Sequence, residues 1–289
     1  MDSASNLILG ISLMIIMWGM GLSLVPGDFK RVITYPKAVL VGLTNQLILL
    51  PVIAFVLVKV FPVSTDIAVG IMILAACPGG PTSNLITHLA RGDTALSVSL
   101  TAISSFITLI TVPFVINFSL AHLVQEGKVV QLDVIETIKK ILLVAIIPVL
   151  VGMFFKRIFP RFADKMARPV KIASGVILAA IIIGVVIKER AHFVDWFIEA
   201  GMISLTLNVL TMLVGFSAAK WFSISERQAT SISIESGIQN GTMALAIAGG
   251  LLNNSAYQIA PAIYSLIMFF TGGYLIYYGI RKTSGKEAN

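Results

Sequence analysis

The sequence predicts an all-α integral membrane protein of about nine transmembrane helices, on its composition, the length of its apolar runs and the placement of its cations. Of 289 residues, 57% are hydrophobic and only 12% charged, with a mean hydropathy of +0.93. Soluble domains carry about a quarter charged residues, so an aqueous fold is excluded. The apolar runs reach the roughly 20 residues that a helix needs to cross a bilayer. The net charge of +7 is not a nucleic-acid footprint, because its cations sit in short loops between apolar runs. There they set orientation.

Nine spans are predicted: 6–25, 38–61, 67–90, 94–117, 135–155, 170–187, 200–222, 229–252 and 257–280. The runs are apolar all round and lack the short alternating segments of a barrel. The first run has no preceding Lys or Arg before Lys30, so it is expected as a span and not as a cleavable leader. The mixed stretch 190–199, with His192, Asp195, Trp196 and Glu199, is expected at the membrane interface. With the N-terminus outside, 15 of the 21 Lys and Arg fall on the inner side, among them Lys30, Arg91, Arg161, Arg227 and Arg281. Lys59, Lys128, Lys139, Lys140, Lys188 and Arg190 fall outside. The bias predicts an N-out, C-in, multi-pass protein of the plasma membrane, in a bacterium the inner membrane.

The third and eighth spans are interrupted. The third holds Pro78, Gly79, Gly80 and Pro81, followed by Thr82, Ser83 and Asn84. The eighth holds Glu235, Ser236, Gly237, Ile238, Gln239, Asn240, Gly241 and Thr242. Proline removes a backbone donor and glycine is a poor helix former. The freed polar groups must be buried in protein or line a wet cavity. The two spans run in opposite directions and each is followed by one ordinary span. That predicts an inverted repeat, spans 1–4 answering spans 6–9 and span five unpaired, as if one helix ahead of residue 1 were lost. Paired interruptions of this kind point to a transporter's binding site.

Glu235 is the one acid, of 14, deep inside a predicted span. An ionised group there costs at least ~2.5 kcal/mol and needs a counter-charge. No Lys, Arg or His lies deep in another span, so a bound cation is the expected partner. A protonated or water-exposed glutamate bonded to the broken backbone is the alternative. Hard cations prefer oxygen ligands. Ser97 and Thr101, spaced i, i+4, share one helix face, and Gln46 and Asn208 are span amides in need of partners. The half-helix starts after Pro81 and Gly241 suit an anionic group. Gly215-Phe216-Ser217-Ala218 departs from an intramembrane protease motif, and His88, His122 and His192 lie at span ends or in loops, so no enzyme is expected. Gly249 and Gly250 read as helix-packing residues and the single cysteine, Cys77, excludes an internal disulfide.

At these residues the chain resembles the bile acid:sodium symporter family. The likeness rests on Cys-Pro-Gly-Gly-Pro-Thr-Ser-Asn (77–84), Ala-Arg-Gly-Asp (90–93), Leu96 and Ser97 with Thr101, and Glu-Ser-Gly-Ile-Gln-Asn (235–240). The resemblance implies two crossed, discontinuous helices in a core domain (38–117 and 200–280) and a separate panel (6–25 and 135–187). It implies one sodium site at Ser83, Asn84, Ser97, Thr101 and Glu235. A second would use Gln46, Glu235 and Gln239 with the carbonyls of Ser236 and Ile238. An anionic substrate would lie near Thr82, Asn240, Gly241, Thr242 and Asn208. Certain relatives carry a His-Asn pair where this chain has Met268 and Phe269, which favours a larger amphipathic anion over small polar acids. The expected activity is sodium-coupled symport of an organic anion by alternating access, with sodium, a small anion and the bilayer as the only partners. A proton-coupled, uncoupled or metalloid carrier with Cys77 as soft ligand, and a receptor or channel, are the alternatives.

Overall fold

The computed structural model describes residues 3–29, 31–124, 132–188, 190 and 193–287. Lys30, Lys128 and His192, used above for orientation and as a loop histidine, lie outside the described residues. Among the described residues the protein is all helix, with one isolated bridge between Gly79 and Gln239. The helices are α1 (Ser3–Gly21), α2 (Pro36–Val60), α3 (Thr65–Ala76), α4 (Pro81–Leu89), α5 (Thr94–Leu123) and α6 (Val134–Ile158). Then come α7 (Pro160–Lys188), α8 (Phe193–Trp221), α9 (Glu226–Gly237), α10 (Gly241–Leu251) and α11 (Ile259–Glu287).

Among the described residues five helices are long and apolar enough to cross a membrane: α2, α5, α6, α8 and α11 with the turn before it. Shorter apolar helices cover Leu7–Gly21, Thr65–Ala76, Ile172–Ile187 and Gly241–Leu251. Outward-facing Phe114, Phe154, Ile183, Leu213 and Phe270 are exposed, as suits a surface solvated by lipid.

Local chemistry sets the ends. Pro36 and Pro81 occupy first turns, where a missing N–H costs nothing. Asp93 and Asp133 cap α5 and α6 by accepting from Leu96 N (3.1 Å) and Glu136 N (2.8 Å). Three helices widen into π turns, and two of these, Asn45–Leu49 and Leu142–Ile146, lie just ahead of a proline, Pro51 and Pro148. A proline ring would otherwise strike the carbonyl four residues back.

The stretch expected at the interface is helical from Phe193 onward. Most of it forms the first turns of α8, with Asp195 in the first turn, where the helix dipole favours an acid. Likewise α7 begins at Pro160 and carries Pro169 in its interior, ahead of the predicted start at 170. Charged residues extend helices past the apolar stretch from which span limits are read.

Packing separates the helices into neighbours. Gly21 of α1 and Gly152 of α6 meet backbone to backbone: a Cβ on Gly21 would lie 2.2 Å from the Val149 carbonyl. A Cβ on Gly19 would lie 2.1 Å from Val170 of α7. By contrast α3 has every residue from Ile67 to Ala76 buried, at the centre of the largest apolar cluster. Gly249 approaches Gln258 closely, as a packing glycine should, whereas Gly250 has nothing within 4 Å of its would-be Cβ.

Candidate functional site

The helix interruptions fall where the sequence places them. α3 ends at Ala76 and α4 starts at Pro81; α9 ends at Gly237 and α10 starts at Gly241. The two gaps touch: Asn240 N donates to the Pro78 carbonyl at 2.9 Å, and Gly79 pairs with Gln239. Backbone groups released by each break are thereby partly satisfied by the other, inside protein and away from lipid.

Glu235 projects from the last turn of α9 into this junction and is 2% exposed. It is the one buried Asp, Glu, Lys or Arg among the described residues. Its Oε2 accepts from Ser83 Oγ (2.7 Å) and Ser97 Oγ (3.0 Å), and its Oε1 from Thr101 Oγ1. Gly79 makes room for it, since a Cβ there would lie 2.1 Å from Oε1. Asn84 completes the group: its Oδ1 lies 2.8 Å from Ser97 Oγ and 3.2 Å from Thr101 Oγ1. Ser83 Oγ also lies 2.7 Å from the Gly80 carbonyl, and Thr101 Oγ1 3.0 Å from the Ser97 carbonyl.

Each hydroxyl has a single proton. Three hydroxyl protons therefore serve all the lone pairs of both Glu235 oxygens and Asn84 Oδ1, while the Gly80 carbonyl is met by Ser83 N as well, at 3.0 Å. Acceptors outnumber donors around a buried charge. Hydrogen bonds to an ionised group are worth about 1.5–3 kcal/mol each, but they leave its charge unbalanced. Convergent hard oxygens with too few protons are the chemistry a small hard cation accepts.

A second group lies on the far side of the junction. Gln46, in the π turn of α2, donates from Nε2 to Gln239 Oε1 (2.7 Å) and to the Cys77 carbonyl (3.1 Å). Gln239 Nε2 donates to the Ser236 carbonyl at 2.7 Å. Two side-chain amides and the last carbonyls of two half-helices thus meet. Ile238 sits in the break with its amide donating to the Ile234 carbonyl at 2.8 Å. The Glu235 carboxylate belongs to the first group; what it brings near Gln239 is its backbone carbonyl, 3.5 Å from Nε2. The two groups are chemically distinct.

A cavity of about 460 Å³ opens beside the junction. Thr82, Asn240, Gly241, Thr242, Met268 and Phe269 all line it, as do Gln239 and Asn84. α1 and α7 form the opposite wall, through Ile16, Met20, Ser174 and Leu178. Asn240 caps α10 with its Oδ1, 3.0 Å from Met243 N, while its Nδ2 is buried with no hydrogen-bond partner. An orphaned donor on a cavity wall suits an acceptor group on a bound molecule.

Asn208 is a correction. It does not line the cavity but lies behind the break, where its Nδ2 donates to the Gly237 carbonyl (2.7 Å) and lies 3.2 Å from the Tyr264 hydroxyl. Tyr264 donates to the same carbonyl at 2.9 Å. The pair caps the C-terminus of α9, which is why a buried amide was needed there. Sequence reasoning also missed Asn45, whose Nδ2 donates to Ser236 Oγ and whose Oδ1 is buried without a partner. Gly215, set aside above as a motif fragment, is close-packed: a Cβ would fall 2.8 Å from Ser236 Oγ and 2.9 Å from Asn45 Nδ2. His88 lines the cavity, one face of α4 presenting Pro81, Asn84, Leu85 and His88. Cys77 is buried outside the cavity, its thiol 3.2 Å from the Ile73 carbonyl.

Comparison with known proteins places these features in a family. Residues 10–196 match the family described as Sodium Bile acid symporter family, a stretch that includes the first break and stops short of Glu235. The "Uncharacterized sodium-dependent transporter YocS" of Bacillus subtilis is 29% identical over 279 residues, covering 96% of this chain and 84% of that one. The ileal sodium/bile acid cotransporter of Oryctolagus cuniculus is 27% identical over 97% of this chain and 81% of its own length. The probable sodium/metabolite cotransporter BASS1 of Arabidopsis thaliana, chloroplastic, is 28% identical over 92% of this chain, which spans 65% of that relative. The chain belongs to the sodium bile acid symporter family, a family of sodium-dependent membrane transporters and not of enzymes.

Proposed function

We propose that the protein is a secondary active transporter that carries an organic anion together with sodium by alternating access. The observation that carries this reading is the buried Glu235 carboxylate, ringed by oxygens with too few protons, at the contact of two broken helices. The first sodium is held by Ser83, Asn84, Ser97, Thr101 and Glu235. The second is held by Gln46, Gln239 and carbonyls of Glu235, Ser236 and Ile238. Two monovalent cations against one carboxylate leave an excess positive charge, which an anionic substrate in the adjoining cavity offsets. Thr82, Thr242 and the free Nδ2 of Asn240 bind its acidic group, and Met268 and Phe269 cover its apolar part. The apolar cover favours an amphipathic carboxylate, in keeping with a relative named for bile acid.

In this reading the chain crosses the membrane nine times, α3 with α4 and α9 with α10 each making one broken crossing. The broken crossings occupy equivalent places in an inverted repeat. α1, α6 and α7 form a panel, supported by the glycine contacts among them, and the remaining helices form the core. The N-terminus lies outside and the C-terminus inside a plasma membrane. Sodium binding orders the crossing of the two breaks, substrate then binds, and movement of core against panel changes the side to which the cavity opens. A metalloid carrier finds no support, because Cys77 faces a helix carbonyl and not the cavity.

The test is uptake of radiolabelled anions into proteoliposomes under an inward sodium gradient. Glu235→Gln is expected to fold and to lose sodium-dependent uptake. Unchanged uptake by that variant, or wild-type uptake equally fast in potassium or choline, would overturn the assignment.

A further inference from the structure

A second cavity, of about 560 Å³, opens elsewhere on the molecule. It lies between the end of α4, the start of α9 and the last turns of α11, apart from the junction of the breaks. Arg91, Arg227 and Glu226 are among its lining residues, two cations to one acid. Phe216, Leu275 and Tyr278 line it too, together with Ser225, Thr230 and Ser233. Cationic and hydroxyl groups together with apolar and phenolic ones suit the two halves of a lipid, headgroup and chain.

Three further facts fit. Exposed Tyr274, Tyr277 and Tyr278 crowd this end of α11, as tyrosines do at headgroup depth. Arg281 follows, its Nη1 3.3 Å from the Tyr277 hydroxyl. Arg91 has φ 61°, a left-handed conformation that is unfavourable for a residue with a Cβ and that glycine adopts freely. Arg91 holds that conformation and lines the cavity.

The floor is rigid. A Cβ on Gly279 would lie 2.2 Å from the Ala90 carbonyl, and Arg227 Nη2 lies 3.4 Å from the Gly92 carbonyl. Ser231 Oγ lies 2.7 Å from Asp93 N, tying the same turn to α9. We propose that this cavity binds the phosphate of an anionic membrane phospholipid, between Arg91 and Arg227, with its acyl chain against Phe216 and Leu275. Bound there, the lipid braces the 90–93 turn against α9, the helix that carries Glu235.

The experiment is thermal unfolding of the full chain in nanodiscs of phosphatidylcholine, with and without one fifth phosphatidylglycerol. Anionic lipid is expected to raise Tm by several degrees, as a ligand of the folded state alone must. Arg91→Gly relieves the backbone while removing the charge, so it should unfold no earlier than wild type in phosphatidylcholine yet lose most of the increment. Arg227→Gln should weaken lipid binding about tenfold, the size expected for one charged hydrogen bond. Lys220→Gln, an exposed charge outside the cavity, should keep the full increment. The proposal fails if the two lipids act alike, if Arg91→Gly keeps the increment, or if Lys220→Gln loses as much. It fails also if inorganic phosphate in phosphatidylcholine discs reproduces the rise, since the ligand is then a soluble anion.

Discussion

The two oxygen groups flanking the breaks differ in kind. The one around Glu235 is built from a full charge and three hydroxyls, and its oxygens exceed its protons. The one around Gln46 and Gln239 is built from amides and carbonyls that already pair with one another. A cation entering the first relieves an uncompensated buried charge. A cation entering the second must displace hydrogen bonds that stand without it. On the proposed function, the first group governs whether sodium couples at all, and the second governs how many ions bind and how cooperatively.

The largest expected effect is at the charge. Glu235→Gln should reduce sodium-dependent thermal stabilisation to nothing and sodium-driven uptake at least about a hundredfold, the size of losing a carboxylate–cation contact at membrane depth. If Glu235→Gln is still stabilised by sodium at wild-type concentrations, the two groups do not differ as described.

Removal of one neutral ligand of the first group comes next. Thr101→Val keeps the shape and deletes the hydroxyl that serves Oε1. It should raise the sodium concentration for half-maximal uptake by roughly tenfold, with the maximal rate recovered at high sodium. A lowered maximal rate with unchanged sodium dependence would assign Thr101 to packing and not to the ion.

Gln239→Ala tests the other side. Sodium dependence should survive with a Hill coefficient lowered towards one, and half-saturation should move by less than in Thr101→Val. A complete loss of sodium dependence would make the amide group as decisive as the carboxylate and abolish the distinction drawn between them.

Much of the first group was legible because each member carries its own signal. A lone acid in an apolar span, two hydroxyls spaced by one helix turn, and a Pro-Gly-Gly-Pro break all announce themselves without a partner. What the sequence hid depends on which surfaces meet. Asn208 signals a buried amide but not its target, which is the Gly237 carbonyl and not a substrate. Asn45 turns inward because the π turn before Pro51 rotates it there, an effect of a single added residue in one helical turn. Gly79 reads as a helix breaker, yet its lack of a side chain is also what admits the Glu235 carboxylate. The wall given by α1 and α7 carries only an isolated Ser174 among apolar residues and emerges only from packing.

The smallest expected effect belongs to a residue that sequence reasoning placed at a span end and dismissed. His88 stands two turns along α4 from Thr82, about 9 Å by helical rise, and lines the same cavity. Its imidazole can hydrogen-bond a polar group at the end of a substrate remote from the acid held at the breaks. His88→Gln retains a donor on a different geometry and should leave sodium half-saturation unchanged while raising the substrate KM about two- to tenfold, one hydrogen bond's worth. The rise should appear only for anions long enough to span from Thr82 to His88, and short monocarboxylates should be indifferent. Equal effects on long and short anions would mean that the substitution disturbs α4 itself, and with it Ser83 and Asn84 about one turn away.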